Sequence, residues 1–363
     1  MRKEARALAM LVLLPAGLAA WPASAEPVRL DTPIAYGTHL PGLGEPAVRL
    51  ARLIKERSGG SLVLELKQPG DGTKPQEILD KVASGAVDAG FATSSFWVAQ
   101  LPAAALFSGY PFGPDANGYF AWFEQGNGRK LYQEMYDHAG IKVHVMPCAF
   151  GGAEAGGWFN KEITASDDLK SLRMRIFGLG GRVMARLGAT TVLIPGGNLL
   201  AAFDKGEIDA AELYPPAVDE RQPLKEKVKL IYAPGWHQPE TVMELIVNKE
   251  RWNALSEHQR VLIEGACLAT LQGTLSETAK LHSDALAKLT KEGVKIEPWP
   301  EDVLSSLRAA WGEIAREEGD RDYFFKTVRD DIEKFREKLQ TGTSPKPNVK
   351  AEPAASADTK TTP

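Results

Sequence analysis

The stretch from Arg173 to Leu213 constrains the fold more than any other. Arg173-Met174-Arg175-Ile176-Phe177 alternates with the two-residue period of a strand and sets Arg173, Arg175 and Phe177 on one face. Gly178, Gly180 and Gly181 break that strand and open a short helix through Leu187, which Gly188 stops. Thr190 to Ile194 is rich in β-branched residues and reads as a second strand. Asn198 caps a helix that ends at Gly206, and Ile208 to Leu213 is a third strand. Strand, helix, strand, helix, strand in so short a span predicts a parallel α/β sheet. Ligands of such sheets bind beyond the carboxyl ends of the strands. Two groups stand there: Arg175, a cation beside a glycine-rich helix start, and Glu212, a carboxylate in an apolar strand.

The same order occurs earlier in the chain. Arg29 to Tyr36 is a strand, Pro46 to Arg57 a helix with Val48, Leu50, Leu53 and Ile54 as its apolar stripe, and Leu62, Leu64 and Leu66 alternate in the next strand. A helix from Gln76 to Ser84 and a strand from Val87 to Ala92 follow, ending at Thr93-Ser94-Ser95-Phe96-Trp97. SGAVDAGFA at 84–92 parallels KGEIDAAEL at 205–213, so two similar halves flanking a cleft are expected, although two ordinary helix-to-strand turns would look alike by chance. Ile141 to Ala149 joins the halves, Val228 to Ala233 and Thr241 to Asn248 are later strands, and the second crosses back. Ser256-Glu257-His258-Gln259 is a capping box opening a helix that runs to Glu292. At 1.5 Å per residue it is roughly 50 Å long, enough to lie across both lobes. Two helices near 301–317 and 320–339 close the fold, and Phe325, Val328, Ile332 and Phe335 form a stripe on the last that needs a partner surface. The expected division is 26–148 plus about 242–275 for one lobe, and 149–241 plus about 276–340 for the other.

The ends are not part of that fold. Arg2, Lys3 and Arg6 precede an apolar run from Leu8 to Ala20 and an Ala23-Ser24-Ala25 cleavage site, the pattern of a secretory signal peptide. Its removal shifts the formal charge from -4 to -6 and leaves an exported, periplasmic protein. The tail at 341–363 has too few large apolar residues to fold. No basic patch argues for nucleic acid. Cys148 and Cys267 are too few for a disulfide scaffold and are expected as buried free thiols rather than as a pair.

Catalytic signatures are missing from the sequence. There is no G-x-S-x-G and no H-E-x-x-H, and the six histidines are scattered without ligand spacing. Gly42-Leu43-Gly44-Glu45-Pro46-Ala47 loosely fits a dinucleotide fingerprint, but a loop separates it from its strand. It is better read, with Gly178–Arg182, as a helix N-terminus facing the cleft, where backbone N–H groups favour an anion. Arg175 suits a carboxylate, which a guanidinium grips with two parallel bonds, though a salt-bridge role stays open. Glu154 and Glu212 stay open between a ligand site and plain loop or ion-pair roles, and His237, flanked by Trp236 and Gln238, between ligand contact and structure.

Taken together, LPGLG at 40–44, the SGAVDAGFATSSFWV run, FSGYPFG at 107–113, EAGGWF at 154–159, RMRIFGLGGRVMARLGA, the KGEIDAAE strand and the YAPGWHQPE loop resemble the periplasmic substrate-binding subunits of TRAP transporters. The resemblance covers nearly the whole mature chain and is strongest to the branch that binds 2-oxo acids and lactate with a metal ion. It implies a two-lobed periplasmic binding protein of type II-like α/β architecture, each lobe a mostly parallel sheet flanked by helices, closing on a small organic acid. It places the ligand carboxylate on Arg175 and the metal on Glu154, Glu212 and the carbonyl of Leu213. Phe96, Trp97, Phe177, Tyr214, Trp236 and His237 are the further candidates for substrate contact. Glu154 stands where that branch has Gln, and Leu213-Tyr214 where it has a Trp after the Glu. Oxygen-only ligands with two full charges favour a hard divalent ion, Ca²⁺ over Na⁺. Some relatives dimerise by swapping C-terminal helices, which would cover the stripe of the last helix. The expected partners are the TRAP membrane subunits; a receptor for an ABC transporter or sensor, or an exported metal-dependent enzyme, are the alternatives.

Overall fold

The computed structural model describes residues 26–341; the signal peptide and all but the first residue of the tail fall outside the described residues. Its strands are β1 (Val28–Pro33), β2 (Leu62–Lys67), β3 (Ala89–Ala92), β4 (Val143–Phe150), β5 (Gly157–Phe159), β6 (Arg173–Arg175), β7 (Thr190–Val192), β8 (Ala210–Ala211), β9 (Leu230–Tyr232), β10 (Val242–Asn248) and β11 (Lys295–Glu297). β1 and β2 pair in parallel across the helix Glu45–Arg57, and a parallel bridge from Ile34 to Phe91 ties them to a sheet of order β3-β10-β4. The second sheet has the order β11-β9-β5-β8-β6-β7.

Within each repeat the strands are parallel, as the sequence requires: β6 with β7 and β8, and β1 with β2. Both sheets are nevertheless mixed. β10 runs antiparallel between β3 and β4, and β5 antiparallel between β8 and β9. Each is a strand that the chain lays down after crossing from one sheet to the other, so it enters from the opposite end. The register of β10 on β4 shifts between Met243 and Glu244, where Pro147 of β4 has no N–H to give the ladder.

The capping box is present. Ser256 Oγ accepts from Gln259 N at 3.2 Å, the Gln259 side chain reaches back to Ser256 N at 2.9 Å, and the helix runs unbroken over Glu257–Lys291. It lies along β4 and Glu45–Arg57 on one side and reaches Pro216–Asp219 and β11 on the other, so it braces both sheets. Cys148 on β4 and Cys267 on this helix form a disulfide, Cα to Cα 4.3 Å, which corrects the expectation of free thiols. The packing of helix on strand brings together two residues 119 apart in sequence.

The stripe of the last helix, Tyr323–Gln340, is also corrected. Phe325, Val328 and Ile332 are buried, with Phe335 packed beside them, against the helices Ala104–Ser108, Ala116–Gln125 and Gly128–His138 and the preceding Glu301–Arg321. The partner surface lies in this chain, so the stripe gives no argument for a second copy.

Candidate functional site

The chain passes between the sheets at 151–156 and again at 233–241, and the two passages are bonded together. Gly151 N donates to Thr241 O at 2.7 Å, Glu154 N to Gln238 O at 3.1 Å, Gly235 N to Glu154 O at 2.9 Å and Gly156 N to Tyr232 O at 2.7 Å. The buried carboxylate of Glu240 accepts from Gly152 N and from its neighbour Thr241 N. Between the sheets, in front of this double crossing, lies a cavity of about 680 Å³.

Arg175 ends β6 at one wall of the cavity. Its Nε donates to Ile194 O at 3.3 Å, and Nη1 is shared between the backbone carbonyl and, at 2.9 Å, the carboxylate of Glu212. Among the described residues nothing accepts from Nη2, which leaves one prong of the guanidinium for a ligand. Arg173, on the same strand face, is taken by Asp209 through two side-chain bonds of 2.7 and 3.1 Å and does not line the cavity. Phe177, at the start of the helix Gly178–Arg186, donates its N–H to Glu212 at 3.3 Å, so the anion at this helix start is a carboxylate of the protein itself.

Glu154 projects from the first crossing and His237 and Gln238 from the second. His237 Nε2 is 3.0 Å from Glu154 Oε2 and 4.0 Å from Glu212 Oε1, and Gln238 Nε2 donates to Glu154 Oε1 at 3.0 Å. One ligand atom from each of Glu154, Glu212 and His237 lies within 4.8 Å of the others, and all three side chains are buried. Burial pushes both carboxyls above their ordinary range; for Glu212 the facing Glu154 adds to this, while Arg175 pulls both back. Burial pulls His237 down, against the attraction of Glu212. Two buried carboxyls with a neutral imidazole between them suit a cation, which removes their mutual repulsion. His237 nitrogen lies in the same cluster as the two carboxylates, brought there by the fold of the second crossing.

The other candidates divide. Phe96, Phe177, Tyr214 and Leu213 line the cavity with Glu154, Arg175 and Glu212. Trp97 does not; it is buried in the core, where its Nε1–H donates to Tyr136 OH at 2.8 Å. Trp236 does not either; its ring stacks on Phe112 at 5.8 Å, and its carbonyl accepts from Phe112 N. Sequence reasoning missed Tyr36 and Gln238. Tyr36 follows β1 as Phe96 follows β3, so the strand-end rule applied to Arg175 would have found it. Its phenol is held above the ordinary range by burial and by the nearby Glu154, Tyr214 and Glu212. A third buried carboxyl, Asp219, accepts from Trp158 Nε1 at 3.0 Å close behind the pair.

Residues 42–321 match the family described as DctP, bacterial extracellular solute-binding protein, family 7. The chain is 33% identical over 293 residues, 81% of its length and 80% of the relative's, to a monocarboxylate 2-oxoacid-binding periplasmic protein of Nostoc sp.. Among solved structures it resembles a TRAP periplasmic solute-binding protein of Pseudoalteromonas atlantica with bound sodium and pyruvate, at 28% identity and a TM-score of 0.80, over 88% of this chain and 96% of that one. One from Colwellia psychrerythraea with bound calcium and pyruvate is similar at 28% identity and a TM-score of 0.80, covering 88% and 97%. One from Bordetella bronchiseptica, with copurified calcium and picolinate, gives 27% and 0.81, covering 87% and 94%. With two lobes, a double crossing and a cleft between them, and with this match over most of its length, the chain belongs to the DctP family of extracellular solute-binding proteins, the receptors of TRAP transporters.

Proposed function

We propose that this protein captures a 2-oxo or 2-hydroxy monocarboxylate, such as pyruvate or lactate, and hands it to TRAP membrane subunits. The observation that carries the reading is the convergence of Arg175, with one free prong, and the buried carboxylates Glu154 and Glu212 on the cavity wall, with His237 bonded behind them. The carboxylate sits on Arg175, and a cation held by Glu154, Glu212 and the carbonyl of Leu213 bridges protein and ligand. Two carboxylates favour a divalent ion, and oxygen donors favour Ca²⁺ over Na⁺, with His237 bonded to Glu154 at 3.0 Å behind the ion rather than on it. The sodium and calcium sites with pyruvate in the Pseudoalteromonas and Colwellia relatives support both the metal and the acid. Export with cleavage after Ala25 puts the receptor in the periplasm, where the membrane subunits meet it.

The experiment is elemental analysis of the purified protein, then calorimetric titration of pyruvate before and after EDTA. Binding lost on stripping and restored by Ca²⁺ but not by Na⁺ alone is the expected result. Unchanged pyruvate affinity in stripped protein that held no metal beforehand would overturn the metal bridge.

A further inference from the structure

The two halves of the fold place aromatic rings at equivalent positions around the acid-binding end. Tyr36 stands just past β1 and Phe96 just past β3; Phe177 stands just past β6 and Tyr214 just past β8. All four line the cavity. Tyr36 and Phe96 are already paired, centroids 5.8 Å apart and tilted by 45°. On the facing wall Phe177 is 44% exposed, a large apolar side chain with no cover of its own beside the backbone that meets Glu212. An exposed ring at the mouth of a polar site gains from a ligand that covers it.

The rest of the lining says what such a ligand lacks. Arg175 is the single Lys or Arg among the described residues that line the cavity, and it is committed to one carboxylate. Apart from the bridging cation, a second carboxylate on the ligand would meet His39 and otherwise only rings, aliphatic groups and amides. The cavity, about 680 Å³, falls in the range that houses drug-sized ligands, about 300–1,000 Å³, so an aryl group has room in it.

From this we infer that the site is built for monocarboxylates with an aromatic side chain, aryl 2-oxo acids, in preference to short aliphatic acids and to dicarboxylates. The inference rests on the monocarboxylate reading above and specifies the ligand of that same site. The carboxylate and 2-oxo group meet Arg175 and the cation, and the aryl group enters between the Tyr36–Phe96 pair and Phe177. Edge-to-face or offset contacts with these rings add to the apolar area removed from water.

The test is a calorimetric titration of the Ca²⁺-loaded mature protein with pyruvate, phenylpyruvate and 2-oxoglutarate. Phenylpyruvate should bind at least about tenfold tighter than pyruvate, and 2-oxoglutarate more weakly than phenylpyruvate by a similar factor. Phe96→Ala and Phe177→Ala should each lower the ratio of phenylpyruvate to pyruvate affinity several-fold. The half-exposed Phe177 serves where the change at Phe96 disturbs folding. If pyruvate binds as tightly as phenylpyruvate, or 2-oxoglutarate tighter, the aromatic preference falls while the monocarboxylate reading stands or is judged on pyruvate itself. If neither pyruvate nor phenylpyruvate binds with or without metal, both readings fall.

Discussion

Arg175 is paired with Glu212 at 2.9 Å, both largely buried. A cation drawn to Glu212 would loosen its hold on Nη1 and let a ligand carboxylate use both prongs of the guanidinium instead of Nη2 alone. Arg175→Ala removes a desolvated partner and leaves Glu212 buried beside Glu154. Its ligand affinity should fall by on the order of a thousand-fold. Arg175→Lys should recover only part of this, because an ammonium lacks the planar fork. Near wild-type affinity of Arg175→Ala by calorimetry would remove Arg175 from the site. The raised carboxyls give a second prediction, with a definite sign. Glu154 and Glu212 hold protons in the folded protein to higher pH than in the unfolded chain. The stability of the metal-free protein is therefore greater below their folded pKa than above it, down to the ordinary carboxylate range. A metal must displace those protons, so metal affinity should weaken as pH falls from about 8 to about 5.5, with proton uptake by the buffer on binding. Glu154→Gln should reduce the protons released, and affinity independent of pH in that window would contradict proton displacement by the metal. At this scale most of the site was legible. Arg175, Glu212 and Phe177 could be placed because strand ends follow from local periodicity. Trp97 and Trp236 misled because a tryptophan near a strand end looks the same whether it faces a cleft or Phe112 and Tyr136. Which way it faces is decided by packing.

The disulfide is where the elements lock together. Cys148 lies on β4, next to the first crossing, and Cys267 on the long bracing helix. Closing a loop of this length limits the unfolded chain, and loss of such a bond in an exported domain costs roughly 2–5 kcal/mol. The double variant Cys148→Ala with Cys267→Ala should unfold at distinctly lower denaturant, with a steeper slope because the uncrosslinked unfolded chain exposes more surface. An unchanged midpoint would mean that helix and strand hold together without it. The elements themselves were readable to different depths. The capping box at Ser256, the glycine stops and the β-α-β-α-β units are local signals, and their ranges hold to within a few residues. The antiparallel entry of β5 and β10, the Cys148–Cys267 bond and the burial of the Phe325 stripe on Ala104–Ser108 and Ala116–Gln125 depend on contacts far apart in sequence. Periodicity shows that Phe325, Val328 and Ile332 need a cover. It cannot show that the cover comes from about two hundred residues earlier in the same chain.

At the scale of the molecule, the candidate site residues come from three places: Arg175, Glu212 and Phe177 on one sheet, Tyr36 and Phe96 on the other, and Glu154 and His237 on the crossings between them. A ligand that touches all three makes its full set of contacts only when the sheets approach. It therefore binds the closed arrangement better than the open one, and that difference in affinity drives closure. The motion belongs to the double crossing, near 148–152 and 236–242. There Gly152 has φ +89°, and an added Cβ would sit 2.2 Å from His282 of the bracing helix. His282 already holds Gly151 O at 2.7 Å and receives Ala217 N at 3.3 Å, so it links the first crossing to the segment that follows Glu212. Small-angle X-ray scattering should show a smaller radius of gyration with Ca²⁺ and saturating ligand than with Ca²⁺ alone. Gly152→Ala, which forces the crossing off His282, should weaken ligand binding without touching any group that lines the ligand cavity. Superimposable scattering profiles with and without ligand would mean that the cleft is rigid, and the donors on the crossings would then have to bind in the arrangement described above.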